Sequence, residues 1–274
     1  LAPKQGMSEE LRALVTGASS GIGAAFARAL RARGEKTVLV ARRADRLGEL
    51  VRELGGEEWA MAWPADLAGE GAAGRLREGV AARGIGVDVL VNNAGRGHTA
   101  PFADQRPEVL RAMLDLNVRA VVELTRAFLP EMLARGRGRI VNVASNAAFQ
   151  PVPFLSVYAA SKAFVLSFTE GLAEEVRGRG VRVQVLCPGP TRTEFFDVAE
   201  TPRGLLIARL PRATPEAVVE TCLRGLDRGR VRVIAGWSNR LLAAAERLAP
   251  AGVTRRVAAT LYRPRPAGPA SGSP

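Results

Sequence analysis

The sequence predicts a doubly wound α/β fold: a parallel sheet of about seven strands with helices on both faces, followed by C-terminal helices. Three observations point to it. Short β-rich runs alternate with helical patterns from end to end, as in successive βαβ units. Runs such as Val38-Leu-Val40 and Asp88-Val-Leu-Val91 are nearly continuously apolar, which suits strands buried on both faces. A glycine-rich turn, Gly17-Ala-Ser-Ser-Gly21-Ile-Gly23, separates the first such run from the first helical pattern, where a sheet of this kind receives anionic ligands.

In chain order, Leu11–Thr16 is the expected first strand, and the glycine turn opens a helix over 21–33. Thr37–Ala41 and 43–54 form the second strand and helix, Trp59–Trp63 and 69–83 the third, and Asp88–Asn92 and 107–134 the fourth. Arg139–Ala144 with 156–178 is the fifth pair, and Val181–Cys187 is the sixth strand. Gly189 to Pro215 then breaks the alternation and is rich in Pro, Thr and Arg. Such an insertion in a compact domain is more often a lid or binding loop than filler. A helix over 215–228 and a seventh strand at Val231–Ala235 complete the series.

No internal repeat or interdomain linker is visible, so a single domain is expected over 11–236, with a substrate lid at about 190–214. Residues 1–10 read as an N-terminal extension, in which Met7 suits a natural start and Leu1–Gly6 an expression remnant. Residues 237–262 carry an apolar stripe (Leu241, Leu248, Val253, Val257, Leu261) beside Arg240, Arg247, Arg255 and Arg256, and Pro250 should break them into two helices. That stripe fits packing on the domain or on a second subunit, or a basic amphipathic segment on a membrane surface. The Pro/Gly/Ser-rich tail 263–274 is expected to be disordered.

Hydrophobic residues are 47% and charged residues 24% of the chain, as in soluble globular proteins. No apolar run reaches the length of a membrane-spanning helix, and the N-terminus lacks a secretory pattern. The two cysteines, Cys187 and Cys222, make neither a disulfide framework nor a metal motif, so a cytoplasmic location and no metal are expected. The formal net charge of +12 comes mainly from arginines spread along the whole chain. No basic run interleaved with aromatics is present, so nucleic acid is not an expected partner. Anionic cofactors, acyl carriers and lipid surfaces remain compatible with the charge.

The turn with Gly17, Ser19, Ser20, Gly21, Ile22 and Gly23 lets backbone approach a pyrophosphate, and a helix N-terminus adds free N–H groups. This predicts a bound dinucleotide. The second strand ends at Ala41 and is followed by Arg42 and Arg43, with no acid to hold ribose hydroxyls. Two guanidiniums there could clamp a 2′-phosphate. That favours NADP(H), with NAD(H) still compatible; two solvated arginines are the alternative. Asp66, before Leu67, could accept a hydrogen bond from an adenine amino group or serve as an ordinary cap. Asn92-Asn93-Ala94-Gly95 ends the fourth strand with small residues that would let cofactor and backbone meet.

Tyr158 and Lys162 stand four residues apart in Tyr-Ala-Ala-Ser-Lys, one turn apart on one helix face. A nearby ammonium favours phenolate, so the expectation is a Tyr158 pKa below its free value. These pieces together resemble the short-chain dehydrogenase/reductase family, in its NADP-preferring branch. The matching motifs are Thr16-Gly-Ala-Ser-Ser-Gly-Ile-Gly23, Asn92-Asn-Ala-Gly95, Asn117, Ser145, Tyr158-x-x-x-Lys162 and Cys187-Pro188-Gly189 with Thr191 and Thr193. Ser20 stands where some NADP-preferring members carry a basic residue. The resemblance implies a catalytic tetrad of Asn117, Ser145, Tyr158 and Lys162, and adds Pro188, Gly189, Thr191 and Thr193 to the cofactor cleft. By the same resemblance Ser145 holds a carbonyl oxygen, Tyr158 transfers its proton, Lys162 bonds the nicotinamide ribose and Asn117 holds a water. A homodimer or homotetramer through the helices at 107–134 and 156–178 is also implied.

On the substrate side, Asn146, Phe149, Gln150, Val152 and Phe154 lie between Ser145 and Tyr158 and are expected to line a pocket. His98, the only histidine, reads as a pocket-wall or a loop-surface residue. Phe195, Phe196, Leu205 and Leu206 belong to the lid. These apolar groups favour a hydrophobic ketone or secondary alcohol. A membrane-associated lipid or 3-oxoacyl reductase is the alternative, and an NADP-sensing regulator without turnover is the alternative of another class.

Overall fold

The structure is a computed structural model that describes residues 12–195, 199, 211–237, 239–241, 243 and 251–263. Seven parallel strands run in the order β3-β2-β1-β4-β5-β6-β7. They are β1 Arg12–Thr16, β2 Lys36–Ala41, β3 Ala60–Pro64, β4 Val89–Asn92, β5 Gly138–Val143, β6 Val181–Cys187 and β7 Arg232–Ile234. Eight α-helices are found among the described residues: α1 Gly21–Ala32, α2 Ala44–Glu53, α3 Ala72–Ala81, α4 Pro107–Leu114, α5 Ala120–Arg135, α6 Ser156–Glu175, α7 Pro215–Asp227 and α8 Ala251–Tyr262.

The central strands are apolar on both sides because helices cover both faces. Phe26 and Leu30 of α1, Leu47 of α2 and Leu223 of α7 pack on one face. Leu76 of α3, Leu124 and Phe128 of α5 and Leu172 of α6 pack on the other. Leu14 and Val15 of β1 are fully buried between them. Each such side chain contributes about 1.5–3 kcal/mol of burial. Local signals set the ends of the helices: at α7, Pro215 occupies the first turn and the Thr214 hydroxyl accepts the Ala217 N–H at 3.2 Å.

The strand order reverses direction at β1 and β4, whose carboxyl ends lie side by side. This is the ligand position of a doubly wound sheet. The expected continuous helix over 107–134 is instead two helices, α4 and α5, joined by a π-helical turn over Asp115–Arg119. In the middle of that wider turn Asn117 is fully buried and bonded to the loop after β4 rather than facing solvent. No helix among the described residues is long and apolar enough to cross a membrane. Phe196, Leu205, Leu206, Leu248, the N-terminal extension and the tail beyond Arg263 lie outside the described residues.

Candidate active site

Thr16, at the end of β1, ties these two strands together. Its hydroxyl donates to Val91 O at 3.2 Å and accepts from the N–H groups of Asn93 (2.9 Å) and Ala94 (3.0 Å). The Asn93 amide returns to Thr16 O at 2.9 Å. Asn93 therefore holds the turn in place instead of offering a free side chain. Beneath it a buried polar chain, missed in the sequence, links β4, β5 and two helices: Asn92 donates to Thr125 and Asn142, and Asn142 to Thr169.

The glycine turn fits a dinucleotide phosphate. Gly17 and Gly21 take φ of +65° and +54°, a region that favours glycine. A Cβ on Gly23 would lie 2.2 Å from Gly17 O, so a side chain there would break the turn. Ser20 is the N-cap of α1, yet its side chain makes no capping bond and no acid stands in the first turn. The helix N-terminus thus presents its N–H groups and partial positive charge at the carboxyl end of β1. Thr193 closes against this turn, its Cγ2 only 2.8 Å from where a Gly21 Cβ would be.

Arg43 reaches the same place: its guanidinium donates to the Ser19 hydroxyl at 3.2 Å and pairs with Glu194 at 2.9 Å. Arg42 is exposed beside it. A hydroxyl and guanidiniums beside a ribose position suit a 2′-phosphate. Asp66 is committed locally, Oδ1 accepting the Ala68 N–H at 3.0 Å, as a cap would be. The Leu67 side chain, named with Asp66 for the cofactor cleft, is buried in the core. Further along, Pro188 O accepts the Asn146 N–H at 2.9 Å, Gly189 O accepts the Thr191 hydroxyl at 2.9 Å, and Thr191 bridges to Ala213.

The four residues named for proton transfer converge at the carboxyl end of β5. Ser145 begins a short 3₁₀ turn over Asn146–Phe149, its hydroxyl accepting the Ala147 N–H at 3.1 Å and lying close enough to the Tyr158 phenol to favour its ionised form. Tyr158 and Lys162 share the inner face of α6 and are only 7% and 4% exposed. Lys162 Nζ donates to Val143 O at 2.8 Å and lies 5.8 Å from the Tyr158 ring centroid. Asn117 grips the Arg96 backbone, accepting its N–H and donating to its O, both at 2.9 Å, and also bonds Ser161 at 3.0 Å. Gly95 completes the group: a Cβ there would lie 3.2 Å from both Asn117 Oδ1 and Lys162 Nζ.

The expected fall in the Tyr158 pKa is corrected. Burial pushes the phenol above its ordinary value, the Ser145 hydrogen bond offsets part of the rise, and nearby Tyr262 adds to it. Burial also lowers Lys162 from 10.5 to about 8. Loss of solvation of each charged form outweighs the helical spacing that suggested mutual assistance.

The surroundings of Tyr158 are apolar. Met113, Val152 and Leu155 pack around it, and the Phe195 ring stands 5.3 Å from the Tyr158 ring at 48°. Phe195 also lies over Gly97, whose added Cβ would be 2.9 Å from it. Half-buried His98 precedes Thr99 and Ala100, whose N–H groups bond Ala199 O and Phe154 O. Phe154 takes a φ of +66°, strained for a side chain of that size. Gln150 is half-buried. Asn146 Oδ1 is buried without a hydrogen-bond partner among the described residues. Phe149, expected in the pocket, packs against the buried cluster of Val121, Ala144, Val165, Val185 and Cys187 and not against the cluster at Tyr158. The short 3₁₀ turn carries it there. Tyr262, absent from the sequence-based pocket, joins the Tyr158 cluster from the end of α8, and burial pushes its pKa up to about 12. The chain holds only two tyrosines, Tyr158 and Tyr262. Composition therefore offered a signal, but not the long-range contact.

A doubly wound sheet with a phosphate-type turn at its switch point and a Ser-Tyr-Lys-Asn cluster beside it defines an oxidoreductase of the dehydrogenase class, acting between CH–OH and C=O. Residues 12–203 match the short chain dehydrogenase family. The chain belongs to that family. It is 32% identical over 251 residues to the ketoacyl reductase HetN of Nostoc sp., covering 88% of this chain and 86% of that protein. Its fold is similar to that of a short-chain dehydrogenase from Sphingobium yanoikuyae in complex with NADPH (TM-score 0.75, 33% identity, 87% of this chain and 94% of that one). It is also similar to the bulky-bulky ketone specific alcohol dehydrogenase from Comamonas testosteroni (TM-score 0.73, 30% identity, 88% and 94%).

Proposed function

We propose that this protein is an NADP(H)-dependent reductase of hydrophobic ketones, or the dehydrogenase of the corresponding secondary alcohols. The observation that carries the reading is the convergence of Ser145, Tyr158 and Lys162 at the carboxyl end of β5, with Phe195, Tyr262, Met113, Val152 and Leu155 packed around Tyr158. Two hydroxyls held together can both bond one carbonyl oxygen, and an apolar wall excludes water from it. When bound, NADPH supplies the hydride. Burial keeps the Tyr158 phenol protonated at neutral pH, so it is loaded to give its proton to the carbonyl oxygen during reduction. Ser145 orients that oxygen. Lys162, bonded to Val143 O, would reach the nicotinamide ribose, and Asn117 fixes the Arg96 backbone so that Gly95 leaves room for both groups.

The NADP(H) preference rests on Ser19, Arg42 and Arg43 around the 2′-phosphate position and agrees with the NADPH-bound relative. A 3-oxoacyl substrate is the second reading, favoured by the likeness to a ketoacyl reductase. The exposed Val253 and Val257 of α8, beside Arg255 and Arg256, would suit a lipid surface in that case. Pairing of subunits through α5 and α6 is supported by exposed Phe164, stacked on Phe168 at 6.0 Å. A panel of aromatic, steroid-like and 3-oxoacyl ketones, followed by NADPH absorbance, tests the reading. Turnover of bulky ketones with NADPH well ahead of NADH supports it. Equal affinity for NADH and NADPH would remove the role given to Arg42 and Arg43.

A further inference from the structure

A second concavity, sharing no residue with the Tyr158 site, lies at the open edge of the sheet between β7 and the C-terminal half of α7. Its volume is about 450 Å³, within the range of small-molecule sites. Thr221 and five arginines, Arg224, Arg228, Arg230, Arg232 and Arg240, are among its lining residues, and none of its lining residues is acidic or aromatic.

Two of these arginines are held by carboxylates that do not line the concavity: Arg224 pairs with Glu220 at 3.2 Å, and Arg232 with Glu170 at 2.7 Å. Arg240 Nε donates to Ile234 O at 3.0 Å. Arg228 and Arg230 are exposed and meet no carboxylate among the described residues. Guanidiniums stay charged at every physiological pH, so their convergence costs Coulomb energy that an anion would relieve. Charged side chains do protect open sheet edges, but outward residues of β7 alone would serve that purpose. Here Arg224 comes from the last turn of α7 and Arg228 from its C-cap, four residues on, and both line the same space as Arg230 and Arg232.

We propose that this concavity binds a small multivalent phosphate. Planar guanidinium forks match phosphate oxygens in pairs, and several forks around one space call for several charges on one ligand. With no aromatic lining residue to stack on a base, recognition falls on the phosphate chain itself.

Calorimetric titration of inorganic tripolyphosphate into protein saturated with NADP⁺, at about 0.15 M salt to screen loose surface contacts, tests the proposal. One saturable site is expected, with ADP binding no more tightly than tripolyphosphate. The double variant Arg228→Glu/Arg230→Glu should weaken binding at least about tenfold, and Arg230→Gln alone about threefold, through lost charge-assisted bonds. Arg43→Glu, altered at the cofactor turn, should leave the affinity unchanged. Both edge arginines are exposed, so melting curves of the variants should match the wild type. No saturable binding, equal binding by the charge-reversed variant, or loss of binding in Arg43→Glu would overturn the assignment.

Discussion

Lys162 holds an ammonium where water barely reaches it, 4% exposed and bonded to a single backbone carbonyl. Burial lowers its pKa from 10.5 to about 8. The unfolded chain therefore binds more protons than the folded one between about pH 8 and 10.5, so stability rises with pH across that window. Below about pH 8 the cost of the buried charge is fully present. Replacing Lys162 by Met should raise the melting temperature at pH 7, and the gain should shrink as the pH approaches 10. A gain that grew with pH would contradict the burial argument. The helical spacing of Tyr158 and Lys162 made their shared face legible in the sequence. The direction of the Tyr158 shift was not legible, because it depends on how deeply packing from other elements covers α6.

Among elements, the segment after β6 and helix α8 reach back to the site. Glu194 occupies the guanidinium of Arg43, the group assigned to the 2′-phosphate. Both side chains are more than 40% exposed, so the pair is worth at most about 1 kcal/mol. Glu194→Gln should tighten NADPH binding by about two- to fivefold in a fluorescence titration. Unchanged or weaker binding would show that the carboxylate does not compete. Helix α8 brings Tyr262 to the wall around Tyr158. Tyr262→Ala should lower kcat/KM for bulky hydrophobic ketones by about tenfold, the effect of losing one aromatic wall, with NADPH affinity unchanged. An equal loss on small ketones would point to damage beyond the wall. The glycine turn was legible because a few adjacent residues specify it. Tyr262 and Phe149 were not: Tyr262 acts through a contact distant in sequence, and Phe149 is redirected by one short 3₁₀ turn.

Across the whole molecule, the central strands, buried on both sides, write their alternation directly into the chain, and order β3-β2-β1-β4-β5-β6-β7 places the switch point between β1 and β4. Thr16, Asn93, Ser145 and Lys162 are gathered there from four separate segments. The wide turn at Asp115–Arg119 escaped sequence reading because Asn117 gains its partners from the loop after β4 and from Ser161 of α6, both distant in sequence. In the proposed reaction the buried Tyr158 phenol supplies the proton beside the carbonyl. Single-turnover oxidation of bound NADPH by a bulky ketone, in wild type and Tyr158→Phe, tests it most directly. A loss of roughly 10²–10⁴-fold in the rate, with NADPH affinity kept within about threefold, is the predicted result; an undiminished rate in the variant would contradict it.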